Sequence, residues 1–183
     1  METGKIKEIK AVILAAGKGT RMKSDLPKVL HPIFQKPMLS WVIDCVCALP
    51  YKSETITVVG HRAECVKEFL NKSYNAAKTV VQKEQLGTGH AVAAAVNEIG
   101  DFEGSVIILC GDTPLVQTKS LEEFNRDYIK YTSQVAETCQ DRDLSSDSMG
   151  IGTSAIIDTE IDGAVGMNSG IFNNPFIGII SNR

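Results

Sequence analysis

Short apolar runs alternate along the chain with longer segments in which apolar residues recur every three to four positions. The apolar runs, rich in β-branched residues, are residues 10–15, 55–60, 78–82 and 105–110. The segments with helical spacing are residues 38–49, 62–71, 91–99 and 120–131. Strands that alternate with helices predict an α/β fold, a Rossmann-like and mostly parallel sheet flanked by helices. The run at 105–110 is the most apolar, which predicts a central strand.

Small residues follow the first predicted strand. Residues 15–20 read A-A-G-K-G-T, so their backbone N–H groups can approach a ligand closely. Four cations surround this bare backbone: Lys18, Arg21, Lys23 and Lys28. The combination is typical of a site for a phosphorylated ligand, although a glycine turn with solvated lysines is the alternative. It is neither a G-x-G-x-x-G fingerprint nor a Walker loop, because the third glycine and the G-K-[ST] string are missing.

Polar or small residues also follow two other predicted strands. They are residues 82–88 and 111–112. In a parallel sheet, ligands lie beyond the carboxyl ends of the strands, so we expect both stretches to converge on the loop after the first strand. Asp112 would be costly to bury unpaired, which favours a metal ligand or a residue facing the cleft. The alternative is a helix N-cap, because Thr113-Pro114 follows it.

Three stretches carry a resemblance to a known family. L-A-A-G-K-G-T-R-M, followed by D-L-P-K-V-L-H, resembles the N-terminal motif of sugar-1-phosphate nucleotidyltransferases. The resemblance is closest to the uridylyltransferase half of bifunctional N-acetylglucosamine-1-phosphate uridylyltransferase/glucosamine-1-phosphate acetyltransferase. Q-K-E-Q-L-G-T-G-H-A and C-G-D-T-P-L agree with it, in the family's order. The likeness covers about the first 130 residues and implies the nucleotidyltransferase fold.

The resemblance implies a reaction and a set of site residues. The reaction joins UTP and N-acetylglucosamine 1-phosphate into UDP-N-acetylglucosamine and pyrophosphate by Mg²⁺-assisted in-line transfer. Arg21 would contact the pyrophosphate and Lys28 a phosphate. The residues that would bind the nucleotide are Leu14, Ala15, Ala16, Gly17, Gln82, Gly87, Thr88, Cys110, Gly111 and Asp112. Asp112 would hold Mg²⁺, and a short N-S-G-I stretch offers Asn168 as a further metal ligand.

Two other interpretations of function stay open. One is a different member of the superfamily, either another NDP-sugar enzyme or a cytidylyl- or guanylyltransferase. The other is a truncated, non-catalytic nucleotide-binding module, because the G-Y-G-R-type segment of the family's acceptor lobe is not found. The acceptor lobe is therefore expected to be incomplete, and turnover by this chain is an open question.

The last third differs from the rest. We predict a nucleotide-binding domain over residues 8–135 and an atypical tail over 140–183. Apolar residues recur in the tail mostly six apart: Ile151, Ile157, Val165, Ile171 and Ile177. This spacing is typical of a hexapeptide β-helix. The tail is either the start of such a β-helix or a remnant of the acceptor lobe that contains Asn168.

Composition narrows the class of protein. The chain has 183 residues and a net charge of −3, which argues against general nucleic-acid binding. No apolar run approaches the roughly 20 residues of a membrane span. Five cysteines without C-x-x-C pairs suit a reducing compartment, so we expect a cytoplasmic protein. The expected partners are UTP and a sugar 1-phosphate, with a homo-oligomer if a β-helix domain follows.

Overall fold

The computed structural model describes residues 8–100, 104–140, 155–156 and 177–182, with side chains for those up to residue 130. The strands are β1 (Glu8–Ala15), β2 (Pro32–Ile33), β3 (Lys36–Pro37), β4 (Lys52–Val59), β5 (Lys78–Val81), β6 (Gly104–Cys110), β7 (Ala155–Ile156) and β8 (Ile177–Asn182). The helices are α1 (Met38–Cys47), α2 (Ala63–Ser73), α3 (Thr88–Ile99) and α4 (Thr118–Gln140). Two 3-10 turns lie between β1 and β2, at Thr20–Met22 and Lys28–Leu30.

Six of these strands form one sheet, in the order β5-β4-β1-β6-β8-β7. Strands β5, β4, β1 and β6 are parallel, whereas β8 is antiparallel to both β6 and β7. The predicted mostly parallel α/β sheet is therefore confirmed. Ala15 lies opposite Val59, and Leu14 lies opposite Cys110. The carboxyl ends of β1, β4 and β6 consequently share one edge of the sheet.

Helices cover both faces of the parallel strands. In β1, Ile9, Ala11 and Ile13 pack in a core with α1, α2 and α4. Val12 packs in a second core with α3 on the other face. Side chains of a strand alternate between its two faces, so a strand covered on both sides needs apolar residues at every position. This explains why the runs of β1, β4 and β6 are mostly apolar in the sequence, whereas β5, at the edge of the sheet, has polar residues and is partly exposed.

Helix α3 begins three residues before the predicted segment at 91–99. The residues T-G-H at its start have low helix propensity, so the apolar spacing alone does not reveal the first turn. Gly87 precedes the helix with φ = 102°, a conformation that favours glycine. The first helical residue, Thr88, therefore directly follows the loop after β5.

Helix α4 begins at Thr118 and extends to Gln140, well beyond the predicted segment at 120–131. Leu121 and Tyr128 are buried against the core with α1, and Phe124 packs on it partly buried. These three residues therefore share the inner face of the helix.

The described part of the tail joins the main sheet. Strand β8 pairs with β6 from Gly104↔Asn182 to Leu109↔Ile177. Residues 141–154 and 157–176, which include Asn168 and most of the six-residue pattern, lie outside the described residues. The domain boundaries and the two interpretations of the tail therefore stay predictions. Within the described ranges, no helix is both long and apolar enough to cross a membrane.

Candidate nucleotide-binding site

A cleft of about 290 Å³ lies at the carboxyl edge of the parallel strands. Its walls come from the ends of β1, β5 and β6, the second 3-10 turn and the start of α3. The lining residues are Leu14, Ala15, Ala16, Gly17, Lys28, Val29, Gln82, Gln85, Gly87, Thr88, Ala91, Cys110 and Asp112. All three stretches that the sequence analysis expected to converge contribute to this one cleft.

The main chain after β1 is held on two sides. The carbonyl of Ala16 accepts hydrogen bonds from the backbone N–H of His61 at 3.2 Å and from Nε2 of Gln85 at 2.8 Å. A Cβ at Gly60 would lie 2.8 Å from the Cβ of Ala16, so β4 approaches this loop as closely as a glycine allows. The backbone at Ala16 is thus anchored before any ligand binds.

Lys28 and Asp112 form an ion pair across the cleft, with Nζ 2.5 Å from Oδ2. Gly19, with φ = 58°, lies so close that a Cβ there would be 2.8 Å from the Cβ of Lys28. The loop thereby folds back onto the lysine. The side chains are 43% and 31% exposed, so the pair faces solvent and contributes at most about 1 kcal/mol to stability.

The alternative role for Asp112, an N-cap, is wrong. Helix α4 begins only at Thr118. Instead, Thr113 donates from its backbone N–H at 3.3 Å and from Oγ1 at 2.6 Å to the carbonyl of Cys110. These bonds close a turn around Asp112, and its carboxylate is left to face Lys28.

Gln82 is buried, and its amide is engaged at one end. Its Nε2 lies 3.2 Å from the carbonyl of Gly87 and 3.1 Å from Nδ1 of His90. The backbone N–H of Gln82 donates to the carbonyl of Val59 at 2.8 Å, which places the residue just beyond the end of β5. The side chain is therefore held in one orientation in the wall of the cleft.

Cys110 contributes a neutral thiol to the opposite wall. Burial raises the pKa of this thiol, the negative charge of Asp112 raises it further, and Lys28 opposes these effects. The thiol therefore stays protonated near neutral pH.

Two of the predicted site residues that the structure describes do not line the cleft, and a third lies outside the described residues. Gly111 is buried behind the wall, where its N–H donates to the carbonyl of Leu14 at 2.9 Å. Arg21 lies exposed on the first 3-10 turn and makes no hydrogen bond or ion pair with the described residues. Asn168 lies outside the described residues.

The structure adds three lining residues that the sequence analysis missed: Val29, Gln85 and Ala91. Gln85 lies inside the Q-K-E-Q-L-G-T-G-H-A stretch, and its position beside other predicted site residues was the available signal. Val29 and Ala91 have small apolar side chains within a turn and a helix, and nothing in the sequence distinguishes such residues from the core.

The side chains of the cleft could hold a divalent cation only if a bound ligand supplied further coordinating oxygen atoms. The described residues contain no group of three or more His, Cys, Asp or Glu side chains that could hold a metal ion. Among the described residues that line the cleft, Asp112 alone carries a carboxylate. Mg²⁺ is commonly bound by one or two carboxylates together with substrate phosphates and water, so a single aspartate fits it.

The parallel sheet, the anchored small-residue loop and the cation–carboxylate pair at its carboxyl edge are typical of nucleotide-binding α/β domains. Residues 11–144 match the MobA-like NTP transferase domain, and the chain belongs to that family of nucleotidyltransferases.

Curated relatives match the same region. The bifunctional protein GlmU of Desulfotalea psychrophila is 53% identical over 112 residues, which are 61% of this chain and 32% of that protein. The chain thus spans about a third of the length of this relative. The match confirms the family resemblance predicted from the motifs.

Solved structures share the fold at low identity. Rv0371c from Mycobacterium tuberculosis H37Rv has a TM-score of 0.55 and 22% identity, over 65% of this chain and 59% of that one. A second structure of the mycobacterial protein is a complex with manganese. UDP-glucose pyrophosphorylase complexed with UDP-glucose has a TM-score of 0.53 and 23% identity, over 68% and 54% of the two chains.

Proposed function

We propose that this chain binds UTP and carries the nucleotide half of a Mg²⁺-assisted uridylyl transfer to N-acetylglucosamine 1-phosphate. The products are UDP-N-acetylglucosamine and pyrophosphate. The observation that supports this most is the shared cleft, in which the loop after β1, the Lys28–Asp112 pair and Gln82 face one another. These are the positions at which the sequence resembles the uridylyltransferase family.

The transfer needs no protein base, because the phosphate of the acceptor sugar is itself the nucleophile. One of its oxygens forms a bond to the α-phosphorus of UTP, and the bond from that phosphorus to the pyrophosphate breaks. The protein therefore acts by aligning the two substrates and by offsetting negative charge. Lys28 supplies a point charge inside the cleft, and Arg21 would contact oxygens of the leaving pyrophosphate in a bidentate manner.

Asp112 would hold the Mg²⁺, with Asn168 as a proposed further ligand. Bound there, Mg²⁺ would supply positive charge that offsets the negative charge of the triphosphate. Lys28 lies against Oδ2 of Asp112, and Oδ1 makes no hydrogen bond with the described residues. Asp112 can therefore accept a second cation without losing its contact to the lysine.

Calorimetry tests nucleotide binding. We expect UTP with Mg²⁺ to bind the wild-type chain, and Lys28→Met to weaken binding roughly tenfold or more, because a hydrogen bond to a charged group contributes about 1.5–3 kcal/mol. Lys72→Met is the matched control, since Lys72 forms an exposed ion pair with Glu68 on α2. Well-folded wild-type protein that takes up no nucleotide would exclude the proposal.

A pyrophosphate-release assay with UTP and N-acetylglucosamine 1-phosphate tests turnover. Asp112→Asn should lower release and raise the Mg²⁺ concentration needed for half-maximal release, whereas Lys72→Met should leave both unchanged. Release with CTP or GTP and another sugar phosphate, but not with UTP, would favour another member of the superfamily.

A non-catalytic nucleotide-binding module is the second candidate. It is favoured by the missing G-Y-G-R-type motif of the acceptor lobe within these 183 residues. This candidate predicts UTP uptake that Lys28→Met weakens, without pyrophosphate release for any pair of substrates.

A further inference from the structure

The carbonyl of Gly87 determines which way the amide of Gln82 points. A carbonyl oxygen can only accept a hydrogen bond, so the Gln82 atom 3.2 Å from it must be the NH₂ group. Reversing the amide would bring two oxygens together. The orientation thus follows from the identity of the neighbouring group.

His90 engages the same NH₂ group. Its Nδ1 lies 3.1 Å from Nε2 of Gln82. Because that nitrogen is a donor, Nδ1 must carry a lone pair and the ring proton must reside on Nε2. Gly87 and His90 then accept both hydrogens of the Gln82 amide.

The oxygen of the amide is left for a ligand. Oε1 of Gln82 accepts no hydrogen bond from the described residues. It is also not one of the described side-chain atoms that are both fully buried and unpaired, so part of its surface is accessible. Since Gln82 lines the cleft, this acceptor is accessible there. Uracil carries a hydrogen on N3, whereas N3 of cytosine is itself an acceptor.

We infer that His90 is a positioning residue for base selection. Together with the carbonyl of Gly87, it holds Gln82 so that the acceptor end of the amide meets the base, which favours uracil over cytosine. This inference rests on the proposed function, because it requires a pyrimidine nucleotide in the cleft.

A purely structural role for His90 is a poor alternative. The residue is exposed in the first turn of α3, and Gln82 is its hydrogen-bond partner among the described residues. It belongs to neither buried core. Replacing it should therefore change base preference more than thermal stability.

The test compares UTP and CTP binding by calorimetry in the full chain. His90→Leu removes the acceptor, and we expect the preference for UTP over CTP to fall about fivefold, the factor that corresponds to about 1 kcal/mol for one hydrogen bond. His90→Asn should retain most of the preference, because Oδ1 of asparagine can occupy the position of Nδ1 and accept the same bond.

The inference would be overturned if His90→Leu kept the wild-type ratio of UTP affinity to CTP affinity. It would also be overturned if the affinities for both nucleotides fell by the same factor. If the wild-type chain binds neither nucleotide, the proposed function fails instead, and the inference fails with it. Should His90→Leu not fold, ¹⁵N NMR of the wild-type histidines decides. The inference requires the proton of His90 on Nε2, and a proton on Nδ1 would overturn it.

Discussion

At the scale of single residues, the walls of the cleft depend on positions where the main chain leaves no room for a side chain. A Cβ on Gly111 would lie 3.0 Å from the carbonyl oxygen of Leu14 and 3.3 Å from side-chain carbons of Val29 and Leu39. The carbonyl belongs to β1 and cannot move without disturbing the sheet. Gly17, by contrast, has nothing within 4 Å of the corresponding position.

This contrast gives a matched pair of variants. Gly111→Ala should lower the free energy of unfolding by about 1–3 kcal/mol, the usual cost of overpacking. Gly17→Ala should change it by less than about 0.5 kcal/mol, as expected of a surface substitution. Urea denaturation of both variants measures the difference.

The same pair also tests the role of the loop. Gly17 lines the cleft, so the added methyl group should weaken UTP binding even though the fold is unaffected. Equal stability of the two variants would contradict the packing described at Gly111. Undiminished UTP binding by Gly17→Ala would instead mean that the nucleotide does not approach this backbone.

At the scale of elements, the turn between β2 and β3 carries backbone strain. Phe34 and Gln35 adopt φ of 49° and 65°, so both central residues of this hairpin turn are left-handed. Turns of this kind favour Asn-Gly or Gly-Gly, because residues with a Cβ pay a steric penalty at positive φ. Phe34 is also 87% exposed, so its side chain gains little from packing.

Gln35→Gly should therefore stabilise the protein by about 0.5–1 kcal/mol. Gln35→Ala is the control, since it removes the same side chain but keeps the Cβ and the strain. We expect a higher urea midpoint for the glycine variant alone. A similar gain in both variants would show that the side chain, rather than the backbone conformation, is the cause.

The hydroxyl of Tyr74, the residue that follows α2, connects this helix to α1 and has a raised pKa. Tyr74 donates to Oδ1 of Asp44 at 2.8 Å. Burial, and to a smaller extent the charge of Asp44, raises the pKa of Tyr74 to about 12. An unfolded tyrosine has a pKa of about 10, so the folded state binds the phenolic proton more tightly.

The sign of the pH dependence follows. The contribution of Tyr74 to stability is complete below about pH 10 and is lost as the pH rises toward about 12. Urea midpoints of the wild type and of Tyr74→Phe should therefore differ below about pH 10 and converge as the pH rises from about 10 to about 12. Tyr51→Phe controls for general alkaline effects, and a constant difference between wild type and Tyr74→Phe would contradict this assignment.

At the scale of the whole molecule, the sheet extends past its most apolar strand through the tail. Strand β8 pairs along β6 from Leu109 to Gly104, and β7 pairs with β8. Without β8, the backbone of β6 would become an open edge with unpaired N–H and C=O groups. The tail is thus part of the sheet that supports the cleft.

A chain that ends after residue 140 should be less stable than the full chain and more prone to aggregate, because an apolar strand edge pairs readily with other molecules. Thermal unfolding and light scattering measure both effects. A chain lacking only residue 183 is the control, since it keeps all of β8. An unchanged melting temperature after removal of residues 141–183 would contradict the pairing of β8 with β6.

Local patterns were sufficient to predict the four parallel strands, the helices between them and most of the stretches that line the cleft, but not the antiparallel strands of the tail. The runs at 10–15, 55–60, 78–82 and 105–110 each became a parallel strand. Burial on both faces demands continuous apolar residues in β1, β4 and β6, whereas β5 lies at the edge of the sheet and is partly exposed. The carboxyl ends of parallel strands meet at one edge, so the stretches following these strands could be expected to converge. Element ends were less predictable, as at α3, whose first turn consists of the poor helix formers Thr88, Gly89 and His90.

Contacts between residues far apart in the chain could be known only from the folded protein. Nothing local in the sequence states that Lys28 pairs with Asp112, 84 positions away, or that Gln85 holds the carbonyl of Ala16. Likewise, the sequence does not show which end of the Gln82 amide faces the cleft. The fold decides this, because Gly87 and His90 accept hydrogen bonds from the NH₂ group. Strand and helix periodicity is a property of neighbouring residues, whereas the partner of a polar atom depends on which segments the fold brings within hydrogen-bonding distance.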